Sequence, residues 1–234
     1  MKRLDKTKAL VCLSGGQDST TCLLQALQIY SVVYTVSFNY GQKHSVELEC
    51  AQRIIEILGM ADYYVLDIPA LKQIGDSALL ADADVNTLKD GLPAAFVPGR
   101  NIIFLSQAAA LAYKLGCGNL VTGVSETDYS GYPDCREQTI KYLEVTLNAA
   151  METDLNIVTP LMHKAKAEIW KMAYQYRMPP YDKEPYGVEL IREHTHTCYN
   201  GDRTVRHEWG YGCSNCPACQ LRRHGYEEFK NANR

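Results

Sequence analysis

The regular alternation of short apolar runs with longer amphipathic segments constrains the fold of this chain more than any other feature of its sequence. The short runs are rich in β-branched residues, and the segments between them repeat apolar residues at the helical period. Such an alternation is typical of a parallel sheet whose strands are joined by crossover helices. It predicts strands near 9–13, 32–38, 63–66, 119–122 and 156–158 and helices near 19–30, 45–58, 100–115, 136–151 and 166–176. We therefore expect an α/β fold with a doubly wound, mainly parallel sheet.

The domain organisation follows from where this alternation stops. A chain of 234 residues with 46% hydrophobic residues can form a full core without disulfides. After residue 177 the composition shifts to paired prolines, a Pro-Tyr-Gly turn and a group of cysteines. We predict an α/β domain at residues 1–177 and a small C-terminal module at residues 178–234. Between Ile74 and Gly99 the periodicity fades, and a segment of this length is typical of a lid or a binding loop.

Charge and hydropathy exclude several classes of partner. The 24 Lys and Arg residues are balanced by 27 Asp and Glu residues, which leaves no global positive field to hold a polynucleotide. No stretch approaches the roughly 20 apolar residues that a membrane helix needs, and the N-terminal residues do not form a secretory signal. We therefore expect a cytoplasmic protein that binds neither nucleic acid nor a membrane.

A glycine-rich segment, residues 14–20, directly follows the first predicted strand and opens the first predicted helix. We call it the glycine loop. Its two adjacent glycines allow the backbone N–H groups to approach a ligand, and the helix N-terminus adds unpaired donors and partial positive charge, so the position suits phosphate. The loop matches neither the Walker motif nor the dinucleotide fingerprint. The alternative is a plain turn in which Asp18 or Ser19 only caps the helix.

The nine cysteines of the chain are unevenly distributed, and four of them lie in the tail. Clustered thiols in a reducing compartment suggest a metal site more than disulfides. Four thiolates make a closed tetrahedral shell for a structural zinc ion, and an iron–sulfur cluster is the main rival. His194 and His196 are further possible ligands. The predicted ligands are Cys198, Cys213, Cys216 and Cys219.

Two segments in the middle of the chain and one lysine carry further candidate residues. Arg100 stands where the long irregular segment enters a predicted helix, a place suited to an anion, and an exposed arginine after a turn is the alternative. Residues 126–136 follow the strand predicted at 119–122 and contain carboxylates and two tyrosines. Open α/β sheets bind ligands beyond the carboxyl ends of their strands. Lys166, at the start of a predicted helix, is either a cation for phosphate or a solvated surface residue.

These motifs together resemble a known family. The glycine loop resembles the pyrophosphate-binding loop of the N-type ATP pyrophosphatases, or PP-loop proteins. The complete set resembles the family of 7-cyano-7-deazaguanine synthases, which form preQ0 in queuosine biosynthesis. The spacer between Cys198 and Cys213 is longer than the shortest ones in that family. The segments that carry the resemblance are 14–21, 39–42, 96–101, 122–123, 126–128, 130–136, 159–162 and the four tail cysteines.

The resemblance implies an ATP-dependent ligase that converts 7-carboxy-7-deazaguanine and ammonia to the nitrile. It also implies a PP-loop fold with a C-terminal zinc module, one structural Zn²⁺ per chain, Mg²⁺ bound with ATP, and a homodimer. The residues implied for ATP are Ser14, Gly15, Gly16, Gln17, Asp18, Ser19 and Thr20. The catalytic candidates are Asp18, Arg100 and Lys166. The candidates for contact with the deazaguanine are Glu126, Asp128, Tyr129 and Tyr132.

Two other functions compete with this one. A PP-loop enzyme that thiolates tRNA or forms lysidine would share the glycine loop, but it requires a basic face that the acidic balance does not favour. A zinc-ribbon interaction module on a nucleotide-sensing domain would bind ATP without turnover. Cys135 is a candidate for a covalent thioester, but the sequence places no obvious base beside it, and a packing role is the favoured interpretation.

Overall fold

The structure is a computed structural model that describes residues 1–42, 45–74, 87–89, 92–94, 96–127, 132–176 and 186–233. The strands are β1 (Asp5–Cys12), β2 (Val32–Asn39), β3 (Tyr63–Asp67), β4 (Leu88–Lys89), β5 (Leu92–Pro93), β6 (Cys117–Val121), β7 (Asn156–Val158), β8 (Arg206–His207) and β9 (Gly210–Tyr211). The α-helices are α1 (Gln17–Ile29), α2 (Val46–Ile57), α3 (Leu71–Ile74), α4 (Arg100–Leu115), α5 (Glu137–Met151), α6 (Lys166–Gln175), α7 (Tyr186–His194) and α8 (Pro217–Ala232). A short 3-10 helix, η1, spans Pro133–Cys135.

A parallel five-stranded sheet organises the molecule, with the strand order β3-β2-β1-β6-β7. In register, Ala9 of β1 lies opposite Val33 of β2 on one side and Asn119 of β6 on the other. The chain adds strands outward from β1 in one direction and from β6 in the other, so the strand order reverses between β1 and β6. Open α/β sheets bind ligands beyond the carboxyl ends of the strands at such a reversal. The glycine loop, which follows β1, lies at this point.

Each face of the sheet has its own core because side chains alternate between the faces of a strand. Ala9 and Val11 point to the face that is covered by α1, α2, α6 and α7. Leu10 points to the opposite face, which is covered by α4 and α5. Fully burying each branched side chain contributes about 1.5–3 kcal/mol, so the two cores together hold the glycine loop on a rigid platform.

A third core joins the C-terminal segment to α6. Trp170 and Ala173 of α6 pack with Ile191 of α7, with Trp209 and with Phe229 of α8. The C-terminal segment therefore shares its core with a helix of the predicted first domain. The predicted boundary between residues 177 and 178 lies outside the described residues, and the division into two domains stays a prediction.

The predicted α/β fold is confirmed, and the differences from the sequence expectation have physical reasons. β1 begins at Asp5 and not near residue 9, because its first residues are polar and exposed and show no apolar alternation. The apolar pattern does not predict α8, because its buried face carries small or charged residues such as Ala218, Arg222 and Gly225.

The predicted lid or binding loop between Ile74 and Gly99 lies largely outside the described residues, and the part that is described contains the short β4–β5 hairpin. Among the helices that the structure describes, none combines the length and the apolar character needed to cross a membrane.

Candidate active site

A cavity of about 900 Å³ lies at the carboxyl edge of the sheet, at the reversal between β1 and β6. Its walls are formed by the glycine loop, the end of β2, the first turns of α2, α4 and α6, the segment after β6, and the tail around residues 196–199. A volume of this size is typical of a cofactor or small-molecule site. The segments that the sequence singled out separately therefore meet around one space.

The glycine loop is shaped by a close approach of α2. Gly15 has a φ of +82°, and a Cβ atom there would lie only 2.1 Å from the carbonyl oxygen of Glu47. No side chain fits that space, and the left-handed backbone disfavours every residue except glycine. The loop residues that line the cavity are Ser14, Gly16, Gln17, Asp18 and Ser19.

Internal hydrogen bonds hold the loop in this conformation. Ser19 Oγ accepts a hydrogen bond from the backbone N–H of Ser14 at 3.1 Å, and Thr20 Oγ1 donates to the Gly16 carbonyl oxygen at 2.7 Å. Gly16 occupies the N-cap position of α1 and makes no side-chain cap, so no capping side chain occupies the N–H groups of the first turn. The structure therefore favours the anion-binding interpretation over a plain capped turn.

A partly buried ion pair stands beside the loop. Lys166 Nζ lies 2.6 Å from Asp18 Oδ2, and the two side chains are 12% and 23% exposed. Lys166 is held from behind by α8, since a Cβ atom on Gly225 would lie 2.4 Å from Lys166 Cβ. Lys166 is therefore not a solvated surface residue. It lines the cavity at the glycine loop.

Arg100 supplies a second cation on another wall of the cavity. Its Nε atom is buried and has no hydrogen-bond partner among the described residues, and its Cζ atom lies 5.9 Å from the centroid of the Tyr40 ring. Burial acts to lower the pKa of Arg100, but interactions with nearby tyrosine hydroxyl groups and with Glu47 outweigh burial and raise the pKa. Arg100 thus carries a full positive charge inside the cavity.

Two other buried nitrogen atoms around the cavity, like Arg100 Nε, lack a hydrogen-bond partner among the described residues. Gln17 Nε2 and His196 Nδ1 are buried and make no hydrogen bond to the residues that the structure describes. Both residues line the cavity. Buried polar atoms without a partner are rare in folded proteins, and each one calls for an explanation. Hydrogen bonds to a ligand in the cavity would satisfy them.

An aromatic wall stands next to Arg100, and the sequence analysis did not identify it. The rings of Phe38 and Phe104 stack with centroids 4.4 Å apart and an interplanar angle of 5°, and Tyr40 lies 5.2 Å from Phe104. All three side chains line the cavity. Phe38 and Tyr40 lie at and just after the end of β2, while Phe104 is one helical turn after Arg100 on α4. The wall offers flat apolar surface to a planar ring.

Glu47 is a further cavity residue that the sequence analysis did not identify. It lies in the first turn of α2 and lines the cavity near Arg100. Burial raises the pKa of Glu47, and the positive charge of Arg100 opposes this shift. The sequence does contain a signal for it, because the apolar residues Cys50 and Ala51 follow Glu47 by three and four positions, the spacing of one helix face. Glu47 therefore shares the inward face of the helix with apolar residues.

The four residues predicted to contact the substrate fall into three groups. Tyr132 lines the cavity, and its ring lies 5.5 Å from that of Phe96. Glu126 is exposed and does not line the cavity, because its Oε2 accepts a hydrogen bond from the backbone N–H of Glu137 at 3.1 Å. Asp128 and Tyr129 lie outside the described residues. The assignment of all four to the substrate stays a prediction.

Cys135 also lines the cavity. Its Sγ accepts a hydrogen bond from Asn101 Nδ2 at 3.3 Å, and the backbone N–H of Asn101 donates to Asp134 Oδ2 at 2.9 Å. These contacts tie η1 to the first turn of α4. They suit the packing role that the sequence analysis favoured for Cys135.

The four tail cysteines come together beside the same cavity. Their sulfur atoms all lie within 4.8 Å of one another, and the group could hold a metal ion. A tetrahedral ion with Zn–S bonds of 2.3 Å holds its sulfurs about 3.8 Å apart, so the spacing fits a single ion. Hydrogen bonds from Cys216 and Cys219 lower the pKa of Cys198 well below its usual range, and the same contacts raise the pKa values of Cys216 and Cys219. Cys198 itself lines the cavity.

The histidines near this group do not lie among the grouped ligands. His196 Nε2 lies 2.9 Å from the Cys198 carbonyl oxygen, and the backbone N–H of His196 donates to the Gly15 carbonyl oxygen at 2.9 Å. The residues next to Cys198 therefore also contact the glycine loop. His196 thus connects the four-cysteine group to the glycine loop along one wall of the cavity.

The strand order, the glycine loop at the reversal and the lysine beside it define the class of this protein: a PP-loop nucleotide-binding α/β protein with a C-terminal four-cysteine group. A family model described as "Queuosine biosynthesis protein QueC" matches residues 8–230. The chain belongs to this family.

Curated relatives agree with the family model. A 7-cyano-7-deazaguanine synthase of Alkalilimnicola ehrlichii is 49% identical over 235 residues, which cover 95% of this chain and 94% of the relative. A protein of the same name from Rhodopseudomonas palustris is 49% identical and covers 98% of this chain and 97% of the relative. A third, from Granulibacter bethesdensis, is 48% identical and covers 96% and 92%.

Proposed function

We propose that this protein is an ATP-dependent 7-cyano-7-deazaguanine synthase, which converts 7-carboxy-7-deazaguanine and ammonia to the nitrile preQ0. The observation that carries the proposal is the family match over residues 8–230, supported by the meeting of the glycine loop, Lys166 and Arg100 around one cavity. The cavity has room for a small ring system beside a nucleotide, and its walls offer both cations and aromatic surface.

The chemistry explains why such an enzyme needs ATP. A carboxylate is a poor electrophile, so one of its oxygens first attacks the α-phosphate of ATP, which forms an acyl adenylate and releases pyrophosphate. Ammonia then attacks the acyl carbon, and the amide forms as AMP leaves. A second ATP then activates the amide oxygen with release of pyrophosphate, and departure of that oxygen with AMP, together with loss of the two amide protons, leaves the C≡N group.

The protein's part in these steps is to position the reactants and to stabilise charge. The backbone N–H groups of the glycine loop hold the phosphates, and Lys166 neutralises the negative charge that develops beside them. Asp18 would present a carboxylate oxygen to Mg²⁺, a hard cation that would supply further charge neutralisation. Arg100 faces the carboxylate that is activated. No covalent bond to Cys135 is required.

The four cysteines would hold one structural Zn²⁺ per chain. Their sulfur spacing supports a single ion, because an iron–sulfur cluster would separate the thiolates by several irons and sulfides. Four thiolates leave no open position for water or substrate, so the ion would stabilise the tail and take no part in nitrile formation. The remaining partners in this proposal are ammonia and a second copy of the chain, in the cytoplasm, without nucleic acid.

The test is to incubate the protein with 7-carboxy-7-deazaguanine, ATP, Mg²⁺ and ammonium and to analyse bases and nucleotides by mass spectrometry. We expect the nitrile together with AMP and pyrophosphate. ATP binding without nucleotide turnover would contradict the proposal and favour a nucleotide-sensing module. A gel shift with tRNA at physiological salt would instead favour a tRNA-modifying enzyme.

A matched pair of variants connects the activity to the site. Lys166→Met should lower kcat by about 100-fold or more, because it removes a cation at the phosphates in a partly enclosed site. Lys171→Met changes an exposed lysine on the same helix and should leave kcat within about twofold of the wild type. Equal activities of the two variants would contradict the role given to Lys166.

A further inference from the structure

The structure points to a residue that reads the substrate's base. We propose that Glu47 recognises the pyrimidine edge of the deazaguanine, with its two carboxylate oxygens accepting the adjacent ring N–H and 2-amino groups. This inference rests on the proposed function and goes beyond it, since it assigns the specificity for a guanine-type ring to one side chain of α2.

The first observation is the position of the Glu47 side chain. It projects from the inward face of α2 and lines the cavity, although its backbone packs on the glycine loop at Gly15. The next acidic residue of the helix, Glu49, is exposed and accepts a hydrogen bond from Ser45 Oγ at 2.6 Å. A charged group on an inward helix face loses hydration, and this loss needs compensation.

The second observation is that the described part of the protein does not supply this compensation. For Glu47, the positive charge of Arg100 is the interaction that opposes the effect of burial, and no hydrogen bond to the carboxylate contributes to the shift of its pKa. The raised pKa of Glu47 reflects the same burial. Donors on a ligand in the cavity would supply the missing hydrogen bonds.

The third observation concerns the shape and charge around Glu47. The stacked rings of Phe38 and Phe104 and the neighbouring Tyr40 form a flat apolar wall, which suits a planar heterocycle. Arg100, whose Cζ atom lies 5.9 Å from the centroid of the Tyr40 ring, adds a cation beside this wall. Glu47 and Arg100 thus place a hydrogen-bond acceptor and a cation around one planar surface, which complements a ring that carries both N–H donors and an anion.

The hydrogen-bonding pattern decides which base fits. A guanine-type edge presents two adjacent N–H donors, which one carboxylate can accept with both oxygens. The corresponding edge of adenine presents one donor next to an acceptor nitrogen, which would repel the second carboxylate oxygen. Glu47 therefore suits the deazaguanine better than the adenine ring of ATP.

The experiment is a comparison of two substrates in two enzymes. The second substrate is the carboxylated 7-deaza base that lacks the 2-amino group. For the wild type we expect kcat/KM to be roughly 10-fold to 100-fold lower with this analogue. Glu47→Gln should lower kcat/KM for the full substrate by a similar factor and should process the two bases within about threefold of each other, with the KM for ATP unchanged. The control Glu49→Gln should behave as the wild type.

Two results would overturn the proposal. One is a Glu47→Gln enzyme that keeps the wild-type discrimination between the bases, or that shows a raised KM for ATP instead. The other is a loss of discrimination in Glu126→Gln while Glu47→Gln keeps it. Thermal unfolding of each variant separates these outcomes from misfolding.

Calorimetric binding of the two bases distinguishes this proposal from the proposed function. If the wild type forms no nitrile, the proposed function has failed, yet the binding preference for the 2-amino base and its loss in Glu47→Gln would still support the assignment of Glu47. Equal binding of both bases to the wild type would refute that assignment even if nitrile is formed.

Discussion

Single residues at the glycine loop carry strict steric requirements. Gly15 lies where α2 approaches the loop so closely that a Cβ atom would overlap the Glu47 carbonyl group. The same backbone contact places Glu47 at the cavity. One glycine thus sets the distance between the glycine loop and the helix to which we assign base recognition.

We predict that Gly15→Ala destabilises the protein by about 2–5 kcal/mol, because the left-handed backbone and overpacking against α2 both add to the cost. Gly59→Ala is the matched control, since Gly59 has a φ of +63° but no atom within 4 Å of the added Cβ. It should cost only about 1 kcal/mol. Urea unfolding of both variants measures the difference, and equal midpoints would show that the α2 contact is not tight.

At the scale of elements, the packing of α8 on α6 positions Lys166, the cation to which we assign a catalytic role. Gly225 of α8 lies directly against Lys166 Cβ, and Trp170 of α6 donates its Nε1–H to the Arg222 carbonyl oxygen at 3.3 Å. The tail, which carries the four cysteines that could hold a metal ion, therefore also supports the cavity wall at Lys166.

We predict that Gly225→Ala pushes α8 away from α6 and costs about 1–3 kcal/mol. It should also lower kcat by at least about tenfold with little change in metal content, because displacements of about 1 Å at reacting groups are costly. Asn231→Ala, at an exposed site of the same helix, is the control. The role of α8 in positioning Lys166 would be wrong if Gly225→Ala lost stability but kept full kcat.

The four tail cysteines are the second feature at the scale of elements. We predict that Cys213→Ser abolishes zinc binding, and because ligand binding energy becomes folding energy, it should destabilise the chain by about 3 kcal/mol or more. For a chain of this length, that cost lowers Tm by roughly 6–12 °C. Cys22→Ala, which changes a thiol outside the group, should keep one zinc per chain. Iron and sulfide in elemental analysis would contradict the identity of the metal.

At the scale of the whole molecule, the prediction concerns assembly. We expect a homodimer, because the family resemblance implies one and two-fold dimers are the commonest soluble oligomers. Light scattering should give twice the 26.3 kDa mass of one chain across the micromolar range. A mass of one chain over that range would contradict the prediction.

The sequence alone determined the features that depend on local pattern. The alternation of apolar runs and helical segments specified the parallel sheet, because strands and helices each impose their own period on the apolar residues of the sequence. The glycine loop was recognisable because it follows a buried strand and opens a helix, and four thiols at short spacing indicated a metal group before any geometry was known. These features need only neighbours in sequence.

Tertiary structure alone decided the features that join distant segments. The Lys166–Asp18 contact spans 148 residues, and Glu47 reaches the cavity only because α2 packs on Gly15. The apolar pattern did not predict α8, because small residues and the buried Arg222 replace large apolar residues on its inner face. The fit of these residues depends on α6 and on Trp209. Local periodicity reports which face of an element is buried, whereas the partners on that face are set by the way the chain folds back on itself.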